Sequence, residues 1–157
     1  MRSIVLFAYG LPLLVLHALC AVALGGASVH QASVAILALR GRFRPRLART
    51  YGTVSLWLYG ATLLWGALLY PRYRIHVRAA YLDAHAPWAA NLFDLKENLA
   101  TLGLPLAVGT FLLSRDMAQL RQDREALWLY GVLALLLAAL CLFNIVSGLL
   151  CTGVRGI

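Results

Sequence analysis

The stretch ALWLYGVLALLLAALCLFNIVSGLLCT, residues 126–152, contains no charged residue. As a helix rising about 1.5 Å per residue it is roughly 40 Å long, enough to cross a hydrocarbon core of about 30 Å. Such a run reads as a transmembrane helix, and it sets the terms for the rest of the chain. Working back toward the N-terminus, three more apolar segments follow, at about 91–114, 51–70 and 3–39. Over the 157 residues the hydrophobic fraction is 62% and the charged fraction 13%. About 25% charged is usual for a soluble domain, and mean hydropathy is +0.78. The period-2 alternation of a membrane barrel is absent, so helices are the spanning element. The expectation is an all-α integral membrane protein. One domain, 1–157, forms a bundle of four transmembrane helices, with a short amphipathic segment in the second linker.

The first segment opens like a signal peptide, with Met1 and Arg2 ahead of an apolar run. That run continues to Leu39, far beyond a signal core of about 7–15 residues, so it reads as a retained helix. At roughly 55 Å it must tilt, protrude or bend, with Gly25-Gly26 as the weak point.

The net charge is +8, from 14 Lys+Arg against 6 Asp+Glu. No segment remains to form a nucleic-acid-binding domain, so the basic excess points to lipid headgroups and loop orientation. The linker RGRFRPRLART (40–50) carries five arginines, and SRDMAQLRQDRE (114–125) carries three. Arg2, Arg72, Arg74, Arg78 and Arg155 fall on the other side. Eight against five places both linkers in the cytoplasm and both termini outside it. The segment Pro71–Pro87 is too polar to span and rich in interfacial aromatics. It reads as a short helix on the outer surface with its arginines toward lipid phosphates. Cys20, Cys141 and Cys151 form no metal motif and read as small packing residues.

Two histidines lie in the first helix, within LHALCAVALGGASVH (16–30). At about 100° per residue, thirteen steps leave His17 and His30 roughly 140° apart. His17 instead shares its stripe with Gly10, Ala21, Leu24, Ser28, Gln31 and Ala35, the small and polar composition of a membrane helix contact. His30 reads as a headgroup-level residue. In the second helix Ser55, Tyr59, Thr62 and Gly66 form one stripe. In the fourth, Ala134, Ala138, Cys141, Asn144, Ser147, Gly148 and Cys151 form one seam, and the Asn144 amide requires a partner in hydrocarbon. The third helix opens with Asp94, Lys96, Glu97 and Asn98. Asp94, Asn98, Thr101 and Pro105 fall roughly on one face. Either this is an interfacial helix start with Lys96 snorkelling to the headgroups, or it is a polar cluster at the mouth of the bundle. Pro105 is expected to kink this helix.

LHALCAVALGGASVH followed by DLKENLATLGLPLAVGTFLLSR (94–115) resembles small four-helix bacterial membrane proteins of the CopD-domain and HemJ types. The resemblance covers about a third of the chain. It rests on a mid-helix histidine followed by glycine and on a lysine opening helix three. It implies His17 as an axial ligand of heme b, with Lys96 involved in oxidation chemistry. This chain departs from the pattern: helix three has Asn98 and no histidine, and helices two and four have none. A second axial ligand would have to come from His30, His76 or His85 at the surface.

Three functions follow from these residues. One is a heme- or metal-binding redox protein, with candidate cofactor-binding residues His17, Gln31, Lys96, Asn98 and Asn144. Another is a noncatalytic accessory or assembly subunit, in which the small-residue seams meet other membrane subunits or a second copy. The third is a small transporter element with the same polar residues along a route. No phosphate loop, nucleophile elbow or zinc-protease pair is present in the sequence, and no catalytic residue is assigned.

Overall fold

The computed structural model describes residues 10–155, and every regular element among them is helical. The elements are α1 (Gly10–Leu39), α2 (Pro45–Arg72), a π-helical stretch (Tyr73–Leu82), the single turn α3 (Asp83–His85), α4 (Pro87–Arg115), α5 (Met117–Gln122) and α6 (Arg124–Val154). Four of the helices, Gly10–Leu39, Pro45–His85, Pro87–Arg115 and Arg124–Val154, are long and apolar enough to cross a membrane. The four expected spans are therefore present. The part of the first segment before Gly10 lies outside the described residues.

α1 packs on α2 and α6, and α4 packs on the same two helices, so α1 and α4 face each other across the diagonal. Short connections make sequential helices antiparallel. Both arginine-rich linkers, residues 40–44 and 116–123, lie at one end of the bundle. The α2–α4 hairpin lies at the other. At the arginine-rich end Gly41 takes φ 83°, the left-handed conformation glycine adopts without steric cost, and so turns the chain out of α1. The linker between α4 and α6 contains a helical turn the sequence reading did not anticipate. Asp116 caps α5 by accepting from the Gln119 N–H at 3.0 Å, and Asp123 caps α6 by accepting from the Ala126 N–H at 3.0 Å.

The inward faces agree with the helical stripes. Gly10, Leu24, Ser28, Gln31 and Ala35 are buried in α1, as are Ala134, Ala138, Cys141, Ser147 and Cys151 in α6. A middle layer of Leu24, Tyr59, Ala107, Leu137 and Cys141 closes the core. Tyr59 lies over Gly103, where an added Cβ would overlap the ring, and its hydroxyl donates to the Ala100 carbonyl at 2.7 Å. Large apolar side chains such as Leu19, Trp57, Leu102 and Leu149 point outward, as a lipid-facing surface requires. Neither Gly25-Gly26 nor Pro105 breaks its helix: α1 and α4 run through both. Gly25 packs on Ile145 of α6, which braces the weak point.

The second linker is helical, as expected, with one buried and one exposed face, but it continues α2 directly, and Ala86 is the one non-helical residue before α4. Pro71 removes an N–H from the α-helical ladder, and the chain passes into i→i+5 bonding two residues later. The Asp83 N–H donates to the Arg78 carbonyl in that pattern. Tyr73, Val77 and Leu82 are spaced by four and five residues, so π-helical bonding brings them to one face. There they form a buried cluster with Ala86, Ala89 and Ala90, against Phe93 and Val154. Tyr73 stacks on Phe93 with ring centroids 3.8 Å apart. Arg78 turns to protein rather than to lipid: its guanidinium makes a two-point pair with Asp94, one contact at 2.8 Å, and its Nε lies 3.5 Å from Asp83.

Candidate functional site at the hairpin end

His17 is half-buried, seven residues inside the first described turn of α1. Its Nδ1 lies 3.0 Å from the main-chain oxygen of Thr62 on α2. A carbonyl oxygen only accepts, so Nδ1 carries the proton and donates. In the neutral ring the lone pair is therefore on Nε2. The approach depends on α2 being thin at this point. A Cβ on Gly66 would sit 3.2 Å from His17 Cε1, closer than nearly all real contacts. The Thr62 hydroxyl turns back to the Leu58 carbonyl at 2.7 Å and leaves the Thr62 carbonyl to the imidazole.

Lys96 reaches the same layer from α4, across the diagonal. Its charge acts on the His17 ring. Lys96 Cε lies 3.6 Å from where a Cβ of Gly148 on α6 would stand, and Nζ lies 5.1 Å from the Phe93 ring centroid. Lys96 is therefore partly buried against α6, with its ammonium turned back toward the hairpin end. The inward face of α4 is Ala89, Lys96, Gly103, Ala107, Thr110 and Ser114. Asn98, Thr101 and Pro105 are on its exposed side. Asn98 is thus removed from the candidate site, and Asp94 is occupied by Arg78. Among the described residues no carboxylate comes within ion-pair distance of Lys96.

Asn144 lies one turn from Gly148 on the same seam. Its amide nitrogen donates to the Leu140 carbonyl at 2.9 Å, and its Oδ1 has no hydrogen-bond partner. Cys151, one turn beyond Gly148 and buried, points its thiol at the Ala89 carbonyl, 3.6 Å away. His17 and Lys96 thus come from two helices toward one region, a lone-pair nitrogen and a cation; Asn144, next to the Ile145 that packs on Gly25, lies about eight residues, roughly 12 Å, further along the bundle from His17.

The other candidates lie elsewhere. Gln31 shares the stripe of His17 but is fourteen residues along, about 21 Å down the axis. It belongs to a separate layer near the arginine-rich end. His30 is exposed, bonds to the Gly26 carbonyl of its own helix at 2.8 Å and stacks on Tyr51. His85 is exposed, bonds within its own helix and stacks on Tyr81. His76 is exposed on the π-helical stretch. None of the three joins His17, and among the described residues no three His, Cys, Asp or Glu side chains converge on a metal position. Two surface clefts are present, one along Arg44–Leu47 and one between Tyr70, Arg74 and Asp83; neither touches His17. Comparison with family models, curated proteins and solved structures gives no significant match to this chain.

Proposed function

We propose that this is a multi-pass redox protein of the bacterial cytoplasmic membrane that holds heme b through His17. The observation that carries this reading is the His17 Nδ1–H donated to the Thr62 carbonyl. Ligating imidazoles are characteristically oriented by such a bond, which raises the basicity of the other nitrogen. Lys96, without a carboxylate partner, supplies the charge that a propionate group would meet. The donor set fits a group with one protein nitrogen ligand; no second imidazole lies in this layer. When bound, heme supplies one-electron chemistry, tuned by its axial ligand and the polarity around it. The chain's own residues orient the ligand (Thr62 and Gly66), compensate negative charge (Lys96) and exclude water with the apolar layer beneath. The sequence resemblance supports the same pairing of His17 with Lys96. By arginine count, the end carrying residues 40–44 and 116–123 faces the cytoplasm, with both termini outside.

The test is the visible spectrum of protein purified in mild detergent from heme-replete cells. A Soret band is expected in wild type and absent in His17→Ala. A colourless wild-type preparation overturns the reading.

A second reading, a noncatalytic subunit of a larger membrane complex or a homo-oligomer, is favoured by Gly26 and Gly60. Both are exposed, with nothing within 4 Å of an added Cβ, and small residues let helices approach closely in lipid. Copurification of a stoichiometric partner would support it. A transporter route has less support, because Leu24, Tyr59, Leu137 and Cys141 fill the core between the polar layers.

A further inference from the structure

A second polar layer lies nearer the arginine-rich end. Gln31 on α1, Ser55 on α2 and Tyr130 on α6 are each 0% exposed. The Gln31 Nε2 and Oε1, the Ser55 hydroxyl and the Tyr130 hydroxyl all lack a hydrogen-bond partner. The Gln31 amide approaches the Tyr130 hydroxyl without reaching bonding geometry. The His30–Tyr51 stack sets the α1–α2 register. It puts Ser55 about five residues, roughly 7.5 Å, from Gln31 along the antiparallel axes, and because each side chain leans toward the N-terminus of its own helix the two lean toward each other. Residues one turn away on the same helices, Ala35, Gly52 and Ala134, are small and buried.

Buried polar groups are almost always paired, and an orphan in a low-dielectric interior is strongly unfavourable. Four orphaned atoms on three helices call for a bridging molecule. None of the groups is charged, and together they offer both donors and acceptors. This pattern matches a neutral molecule that donates and accepts at once, and an internal water typically makes about three such bonds. We propose that Gln31, Ser55 and Tyr130 hold an ordered internal water that ties α1, α2 and α6 together. The site is distinct from the His17 layer and is separated from it by the apolar middle layer.

The chain has three glutamines, Gln31, Gln119 and Gln122. Protein labelled with 15N-glutamine in deuterated-lipid nanodiscs therefore gives three side-chain amide pairs, and Gln31→Leu assigns one of them. A nuclear Overhauser cross-peak from long-lived water to the Gln31 amide is expected in wild type. It should weaken at least several-fold in the doubly substituted Ser55→Ala, Tyr130→Phe protein, which keeps the packing volume close to native. A Gln31 amide without a water cross-peak in wild type overturns the proposal. So does a cross-peak that the double substitution leaves unchanged, since that water would be held by other groups.

Discussion

Gly103 and Tyr59 provide a test of the packing in which the sign of an effect depends on one neighbour. A Cβ at position 103 would overlap the end of the Tyr59 ring, so Gly103→Ala must displace a buried side chain. Overpacking of this kind costs about 1–3 kcal/mol. Moving the ring also loses the hydroxyl bond to the Ala100 carbonyl, about 1 kcal/mol net. Against this, alanine is favoured over glycine inside a helix by about 0.8–1 kcal/mol. The net expectation is a destabilisation of about 2 kcal/mol. In a Tyr59→Leu background the shorter side chain no longer reaches Gly103, so only the propensity term remains. The same substitution should then stabilise the protein by up to ~0.8 kcal/mol. Equilibrium unfolding in mixed micelles, titrated with a denaturing detergent, measures all four proteins of the cycle. Equal effects of Gly103→Ala in both backgrounds would refute the contact.

Arg78→Ala leaves the Asp94 carboxylate without its two-point partner. Because the pair is partly exposed, the expected loss is only about 1 kcal/mol by the same unfolding assay, and Arg78→Lys should recover part of it. Val77→Asp puts a charge into the buried hairpin cluster and should cost about 3 kcal/mol or more; a neutral result would mean the segment 73–82 lies free on the membrane surface. Cysteines placed at Arg42 and Ala118 should react with an impermeant maleimide from the same face of oriented vesicles. One placed at Asp83 should react only from the opposite face, and labelling of all three from one side would contradict the topology.

Much of the architecture was legible because it depends on quantities the sequence carries directly. Runs such as 126–152 are long enough to span, and angular arithmetic separated His17 from His30 and placed His17 with Leu24, Ser28 and Gln31. Lys96 was harder. The apolar pattern puts the helix start near Asn91, which leaves Lys96 either at the headgroups or at the mouth of the bundle, whereas α4 begins at Pro87. Four more residues carry Lys96 about 13 Å into the helix, counted from Pro87. Which face of α4 turns inward is then decided by Gly148 and Tyr59 on neighbouring helices, contacts that one segment cannot reveal. The continuity of the second linker with α2 is hidden for a related reason: Pro71 reads as a helix breaker, and the spacing of Tyr73, Val77 and Leu82 does not fit a 3.6-residue period. The bond from His17 to the Thr62 carbonyl had only an indirect signal, the small Thr62–Gly66 stripe of α2.

The central claim is that His17 presents Nε2 as a ligand beside the Lys96 cation, and titrating heme into metal-free protein in nanodiscs tests it most directly. Wild type should give a saturable Soret shift at one equivalent. Lys96→Met should bind at least tenfold more weakly, as loss of a charge-assisted contact of about 1.5–3 kcal/mol implies. His17→Ala should give no ligand-field shift at all. A His17→Ala protein that titrates like wild type, or a wild type that gives no shift, would contradict the account.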